Sequence, residues 1–178
     1  MLQFAAMDAR QESGLELVSL SEAETINIGR RIGRRLAAGD LVLLLAPFGA
    51  GKTHLAKGIA AGLGADPDEV NSPSFVLINE YVAGQERGRM PIYHADLYRI
   101  ETAHDLATIG LEECFNGDGI CLIEWAERAA GALPDERLAV HISETGEKSR
   151  RLRLVPHGAR YRALVATLAA DQNDAAGN

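Results

Sequence analysis

Leu41-Val42-Leu43-Leu44-Leu45-Ala46-Pro47-Phe48-Gly49-Ala50-Gly51-Lys52-Thr53 decides the fold. Its first five residues are apolar at every position, which is how a strand covered on both faces of a parallel sheet reads. The last eight follow the phosphate-loop pattern G-x-x-x-x-G-K-[ST], with Ala46 where the first glycine usually stands. After Thr53, the apolar residues Leu55, Ala56, Ile59, Ala60 and Leu63 recur at helical spacing, and Gly64 is a natural stop. Strand, glycine-rich turn and helix in this order are the context the motif demands. In such a loop Gly49 and Gly51 let the backbone turn tightly through Phe48 and Ala50, so that successive amide N–H groups face one anionic centre. The N-terminus of the following helix adds its partial positive charge there. Lys52 then reaches the β- and γ-phosphates, and the Thr53 hydroxyl is a ligand for Mg²⁺. His54 either touches the α-phosphate or is an exposed first-turn residue.

Working outward, Ser21 and Glu24 form an S-x-x-E capping box ahead of Ile28, Ile32 and Leu36, and Gly39 stands where a helix C-cap is expected. Downstream, 75–82 reads as a strand, 83–89 as a polar turn and 91–98 as a returning strand, so that the two form a hairpin. A short helix near 104–115 precedes a second fully apolar strand, Ile120-Cys121-Leu122-Ile123. Residues 137–142 and 151–155 alternate as late antiparallel strands, and 158–170 carries Tyr161, Leu164, Val165 and Leu168 on one helical face. The expected fold is an α/β P-loop NTPase. It has a mainly parallel central sheet flanked by helices, with antiparallel strands at the edges. Residues 1–14 are expected to be a flexible entry, 15–170 a single domain and 171–178 a disordered tail.

Composition narrows the function. A net charge of −7 argues against autonomous binding to DNA or RNA, which needs a basic footprint. RNA delivered by a basic partner stays compatible with it. Cys114 and Cys121 lack the spacing of a zinc site or disulfide framework and read as reduced, partly buried thiols. The first fourteen residues do not read as a signal peptide, and the longest apolar run, 41–46, is too short to span a bilayer. The expected compartment is cytoplasmic, with no membrane contact.

A P-loop identifies a nucleotide, not a task. The guanine signature N-K-x-D is missing, which favours ATP over GTP, and no L-S-G-G-Q signature occurs. A small-molecule kinase of this size carries arginines late in the chain, and Arg150, Arg151 and Arg153 keep that alternative open. Glu124 directly follows the second buried strand, where an acid can face Mg²⁺ directly or through water. Its bland alternative is a surface salt bridge. Asp96 follows Ile92 and Tyr93, and can orient the attacking water, hold a magnesium-bound water or cap a neighbouring loop. Trp125, the only tryptophan, reads equally as a core residue or as a ring lining the cleft. His94 reads as a packed or hydrogen-bonded histidine. Arg30, Arg31, Arg34 and Arg35 form an i,i+4 cluster, by default a solvated face.

Four segments in order carry a resemblance: Gly49-Ala50-Gly51-Lys52-Thr53, Ser72-Pro73-Ser74-Phe75, His94-Ala95-Asp96-Leu97-Tyr98-Arg99 and Ile123-Glu124-Trp125. Together the set resembles the TsaE family (older name YjeE), from about Ser21 to Arg153. The resemblance implies an Mg-dependent ATPase, slow alone and partner-stimulated. It would serve the machinery that makes N6-threonylcarbamoyladenosine at position 37 of tRNA. The implied partners are TsaD, which carries the transfer chemistry, and TsaB, with tRNA reached indirectly through the complex. It also implies roles for residues that spacing does not single out. Ser74 stands where the family has threonine and offers a hydroxyl to Mg²⁺ or the γ-phosphate. Arg150 matches a late arginine near the nucleotide, and Glu22 and Thr25 match an N-terminal segment that approaches the base. Three positions depart from the family pattern: Ala46, His54 in place of a second threonine, and Ala126 in place of proline. An ATP-gated assembly factor without significant turnover is the remaining alternative.

Overall fold

The structure is a computed structural model that describes residues 14–73, 77–84, 90–115, 117–129 and 131–176. Seven strands form one sheet: β1 (Leu15–Ser19), β2 (Leu41–Leu45), β3 (Ile78–Val82), β4 (Pro91–Asp96), β5 (Ile120–Glu124), β6 (Arg137–Glu144) and β7 (Arg150–His157). Their spatial order is β1-β7-β6-β2-β5-β4-β3. The central strands β6, β2, β5 and β4 run parallel, whereas β3, β7 and β1 pair antiparallel towards the two edges. This is the expected mixed α/β architecture.

Among the described residues, five α-helices cover the sheet: α1 (Glu22–Gly33), α2 (Lys52–Gly62), α3 (Ala103–Thr108), α4 (Leu111–Phe115) and α5 (Ala159–Ala176). A single 3₁₀ turn, Ala126–Ala129, follows β5. Because successive strand residues point to opposite faces, the apolar run of β2 divides between two cores. Val42 and Leu44 pack with α1, α2 and α5, while Leu41 and Leu43 pack with α3, α4 and the 3₁₀ turn. On the first face α1 and α2 meet backbone to backbone. A Cβ placed on Gly33 would run into the Ile59 carbonyl oxygen, and one on Gly58 into that of Ile26. Only glycine permits this approach. It brings the helix that starts at Lys52 close against its neighbour.

The start of β2 is pinned by polar contacts. Tyr161 Oη accepts the Leu41 N–H at 2.7 Å, and Asp40 accepts from the Ala37 N–H at 2.7 Å and from Arg160 at 2.8 Å. The strand that feeds the phosphate loop therefore begins from a fixed point.

Several details differ from the sequence-based expectations. Strand β1 covers residues for which no element was expected, and pairs with β7. Helix α1 ends at Gly33, and Gly39 serves a later turn with φ 84° whose N–H reaches the Gly119 carbonyl at 2.8 Å. Ser21 accepts the Glu24 N–H as expected, but the Glu24 carboxylate reaches back to the Leu20 N–H, one residue before the cap. The helix of 104–115 is two helices, broken where Gly110 takes φ 66°. Helix α5 runs to Ala176, past the expected limit at Ala170, and an ion pair between Arg35 and Asp171 ties it to α1. Arg31 donates to the Leu168 carbonyl at 3.2 Å, so two of the four clustered arginines hold α5 rather than forming a purely solvated face. Both cysteines are buried and free.

Candidate functional site

The site lies at the C-terminal ends of β2, β5 and β4, where open α/β sheets place their ligands. A cleft of about 340 Å³ opens there, lined on one side by residues of the phosphate loop and α2 and on the other by Ser72, Asp96, Tyr98, Glu124 and Trp125.

The loop wall is made of main chain. Gly49 has φ 79° and Gly51 φ 102°, left-handed values that L side chains resist. Gly51 is also the N-cap of α2 and has no side chain to occupy the helix N-terminus, which leaves the amide groups open to an anion. Lys52 donates to the carbonyls of Ala46 and Pro47, at 3.0 Å each. An ammonium carries three donors, so one remains for a phosphate oxygen. Its Nζ stands 4.3 Å from the centroid of the Trp125 ring, a cation–π contact. Burial lowers the Lys52 pKa from its ordinary value, opposed by the nearby carboxylates of Glu124, Asp96 and Glu127. An anionic ligand would complete the neutralisation of this partly desolvated cation.

The opposite wall is made of carboxylates. Asp96 and Glu124 are direct partners in the parallel register of β4 and β5, so their side chains share one face. That face is the one covered by α1 and α2, since Ile92, Ile120 and Leu122 of the same rows join that core. Both acids are nearly buried, at 5% and 3% exposure. Asp96 Oδ1 accepts the Tyr98 N–H at 2.9 Å, and Oδ2 lies 3.3 Å from the Ser72 hydroxyl that donates to it. Glu124 Oε1 lies 3.0 Å from His94 Nε2. The bland reading of Glu124 as a surface salt-bridge residue does not describe this position.

Trp125 turns the chain at the end of β5 with φ 57°, a conformation that costs a non-glycine residue about 1–3 kcal/mol. The turn sets its ring over Lys52 and 5.0 Å from the Tyr98 ring. Of the two readings open for Trp125, the ring lining the cleft is the one that matches. Phe48 and Tyr98 remain exposed, at 84% and 51%, beside the cleft.

Phe48, Gly49, Gly51, Lys52, Thr53, His54, Asp96, Glu124 and Trp125 are thus brought to one cleft. Other candidates are placed elsewhere. Ala50 is fully buried and contributes only backbone. Arg150 stands behind the loop, its Nε donating to the Ala50 carbonyl at 2.9 Å and its Nη1 to carbonyls of the β6–β7 turn. It braces the phosphate loop and is not among the cleft residues. Thr25 is buried, with its hydroxyl 2.6 Å from that of Ser19, and it too is absent from the cleft lining. Glu22 is exposed and comes within 3.8 Å of His54, which brings it near the first turn of α2. Ser74 and Phe75 lie outside the described residues. The pairing of His94 with Glu124 was not foreseen. Its signal was the alternation of β4, which places His94 and Asp96 on one face.

Comparison with known proteins agrees with this geometry. A family model described as "Threonylcarbamoyl adenosine biosynthesis protein TsaE" matches residues 19–152. The tRNA threonylcarbamoyladenosine biosynthesis protein TsaE of Treponema pallidum is 37% identical over 138 residues, covering 78% of this chain and 98% of the relative. Its Bacillus subtilis counterpart is 37% identical over 155 residues, covering 87% and 94%. The crystal structure of Bacillus subtilis YdiB superposes with a TM-score of 0.74 at 33% identity, over 90% of this chain and 97% of that one. With the loop, the two strand-end acids and the tryptophan on the same cleft, and with this match spanning most of its length, the chain belongs to the TsaE family.

Proposed function

We propose that this chain is the ATPase component of the machinery that forms N6-threonylcarbamoyladenosine at position 37 of tRNA, acting with TsaD and TsaB. Family membership supports the process, and the cleft supports the chemistry. The observation that carries the ATPase reading is the pairing of Asp96 with Glu124 across from a phosphate loop whose lysine is already held.

ATP places its phosphates on the amides of 49–53, with the remaining Lys52 donor shared between β- and γ-phosphate oxygens. Mg²⁺ fits the donor set. The Thr53 hydroxyl and the carboxylates of Glu124 and Asp96 are hard oxygen donors that would hold the ion. Bound there, Mg²⁺ would supply positive charge against the charge that develops on the transferring phosphate. Asp96, fixed by the Tyr98 amide and the Ser72 hydroxyl, orients the attacking water. Trp125 and Tyr98 form an apolar edge beside Lys52 that limits bulk water and strengthens its interaction with phosphate. An acidic chain with an exposed aromatic rim suits a subunit that meets RNA through a partner.

ATP hydrolysis measured alone, and with TsaD, TsaB and tRNA, tests the proposal. Slow turnover alone and clear stimulation by the partners is the expected result. Phosphoryl transfer to a metabolite, stoichiometric and indifferent to the partners, would replace this reading with that of a small-molecule kinase.

A further inference from the structure

Glu124 owes its place to a second residue that touches neither nucleotide nor partner in the reading above. His94 sits two residues before Asp96 on β4, on the same face, and is fully buried. Its Nε2 is 3.0 Å from Glu124 Oε1, and the two side chains are 0% and 3% exposed. Its Nδ1 is also buried and has no hydrogen-bond partner among the described residues. The nearest aromatic group is Tyr81, whose ring centroid is 6.3 Å away and tilted.

These facts decide which nitrogen carries the proton. A proton on Nδ1 would be a buried donor without an acceptor, which costs the full desolvation of an N–H group. A bare Nδ1 lone pair avoids burying an unpaired N–H. The proton therefore belongs on Nε2, where it meets a carboxylate oxygen in a charge-assisted bond. Locked this way, the imidazole commits Oε1 of Glu124 and leaves Oε2 for the cleft that Glu124 lines.

We propose that His94 is a positioning residue for Glu124: its Nε2–H fixes one carboxylate oxygen so that the other is presented to the magnesium ion of Mg–ATP. The proposal rests on the ATPase reading for its readout in turnover, but its structural half can be measured without it. A group that orients a metal-binding carboxylate typically changes metal affinity or activity about 10–100-fold when removed. It does so without touching the nucleotide.

The experiment compares wild type with His94→Ala, His94→Asn and His94→Gln. The glutamine amide nitrogen lies near the position of Nε2, whereas that of asparagine lies near Nδ1. For each, the half-saturating Mg²⁺ for ATP hydrolysis is measured beside ATP binding in chelator and a melting curve. Expected is about a tenfold rise in the Mg²⁺ requirement for His94→Ala and His94→Asn. Recovery is expected in His94→Gln, with ATP affinity in chelator unchanged throughout. ¹⁵N spectra of the wild-type histidine side chains should show a protonated Nε2 and a bare Nδ1 for His94. That measurement decides the matter if the alanine variant does not fold. An unaltered Mg²⁺ requirement in folded His94→Ala, or a proton on Nδ1, would overturn the proposal. Absence of any ATP hydrolysis by wild type would overturn the ATPase reading instead, and the spectra would still report on His94.

Discussion

The two walls of the cleft are built by different means. The loop wall, 46–53, presents main-chain amides, and its shape depends on left-handed glycines and on where α2 lies. The acid wall presents Asp96 and Glu124, and its shape depends on side-chain and amide hydrogen bonds at the ends of β4 and β5. A backbone wall is sensitive to packing at a distance, because its groups move with the helix. A side-chain wall is sensitive to the loss of a single partner. Binding and turnover should therefore separate by wall.

The largest effect is expected at Lys52, the loop-wall side chain proposed to meet the phosphates. Lys52→Ala should lower turnover about a hundredfold or more, as removal of a preorganised donor does. It should weaken ATP binding as well, since on this reading the lysine contacts phosphate in the ground state and more strongly in the transition state. Single-turnover hydrolysis with an ATP titration checks this, and intact ATP affinity would show that the amides alone hold the nucleotide.

Packing behind the loop comes next. Gly33→Ala places a methyl group against the Ile59 carbonyl and should destabilise the protein by about 1–3 kcal/mol, the usual cost of overpacking. Because the displaced helix carries Lys52 and Thr53 in its first turn, ATP affinity should fall with stability. Urea unfolding followed by ATP titration under native conditions reads both. A destabilised variant that binds ATP normally would uncouple the α1–α2 contact from the loop wall.

The smallest effect is expected at the start of β2. Tyr161→Phe removes the acceptor of the Leu41 N–H, a loss of about 1 kcal/mol for one hydrogen bond. It also has a pH signature. Burial is the main cause that pushes the Tyr161 phenol from 10.0 up to about 12. The folded state thus keeps a proton that the unfolded chain releases, so stability is full below pH 10 and falls as pH rises towards 12. Thermal melts between pH 9 and pH 12 should show a shallower alkaline decline for Tyr161→Phe, and an identical slope would assign the decline to other groups.

The loop wall was legible in the sequence because its parts are contiguous. An apolar strand, the glycines, Lys52 and Thr53 sit within thirteen residues and obey local rules. The acid wall was legible only in part. Strand ends after Ile123 and Ala95 announced Glu124 and Asp96, but not that parallel register would set them side by side. Long-range partners were not readable at all. Arg150 was matched to the nucleotide, and the sequence did not show that its Nε and Nη1 donate to carbonyls of the loop and of its own hairpin turn, with Nη2 3.7 Å from Glu144. Thr25 resembled a residue near the base yet turns its hydroxyl to Ser19. Glycines at 29, 33, 58 and 62 recur every four residues on two helices, but nothing local says that the two ridges meet. Strand β1 escaped because five residues with two buried Cβ positions carry too weak an alternation, and its buried Ser19 reads as polar.

The separation of the two walls is the central claim, and Glu124→Gln tests it most directly. ATP binding in chelator and Mg–ATP hydrolysis are measured on the same preparation, each against wild type. Unchanged binding with turnover about a hundredfold lower is the predicted result. Lost binding without metal, or undiminished turnover, would contradict it.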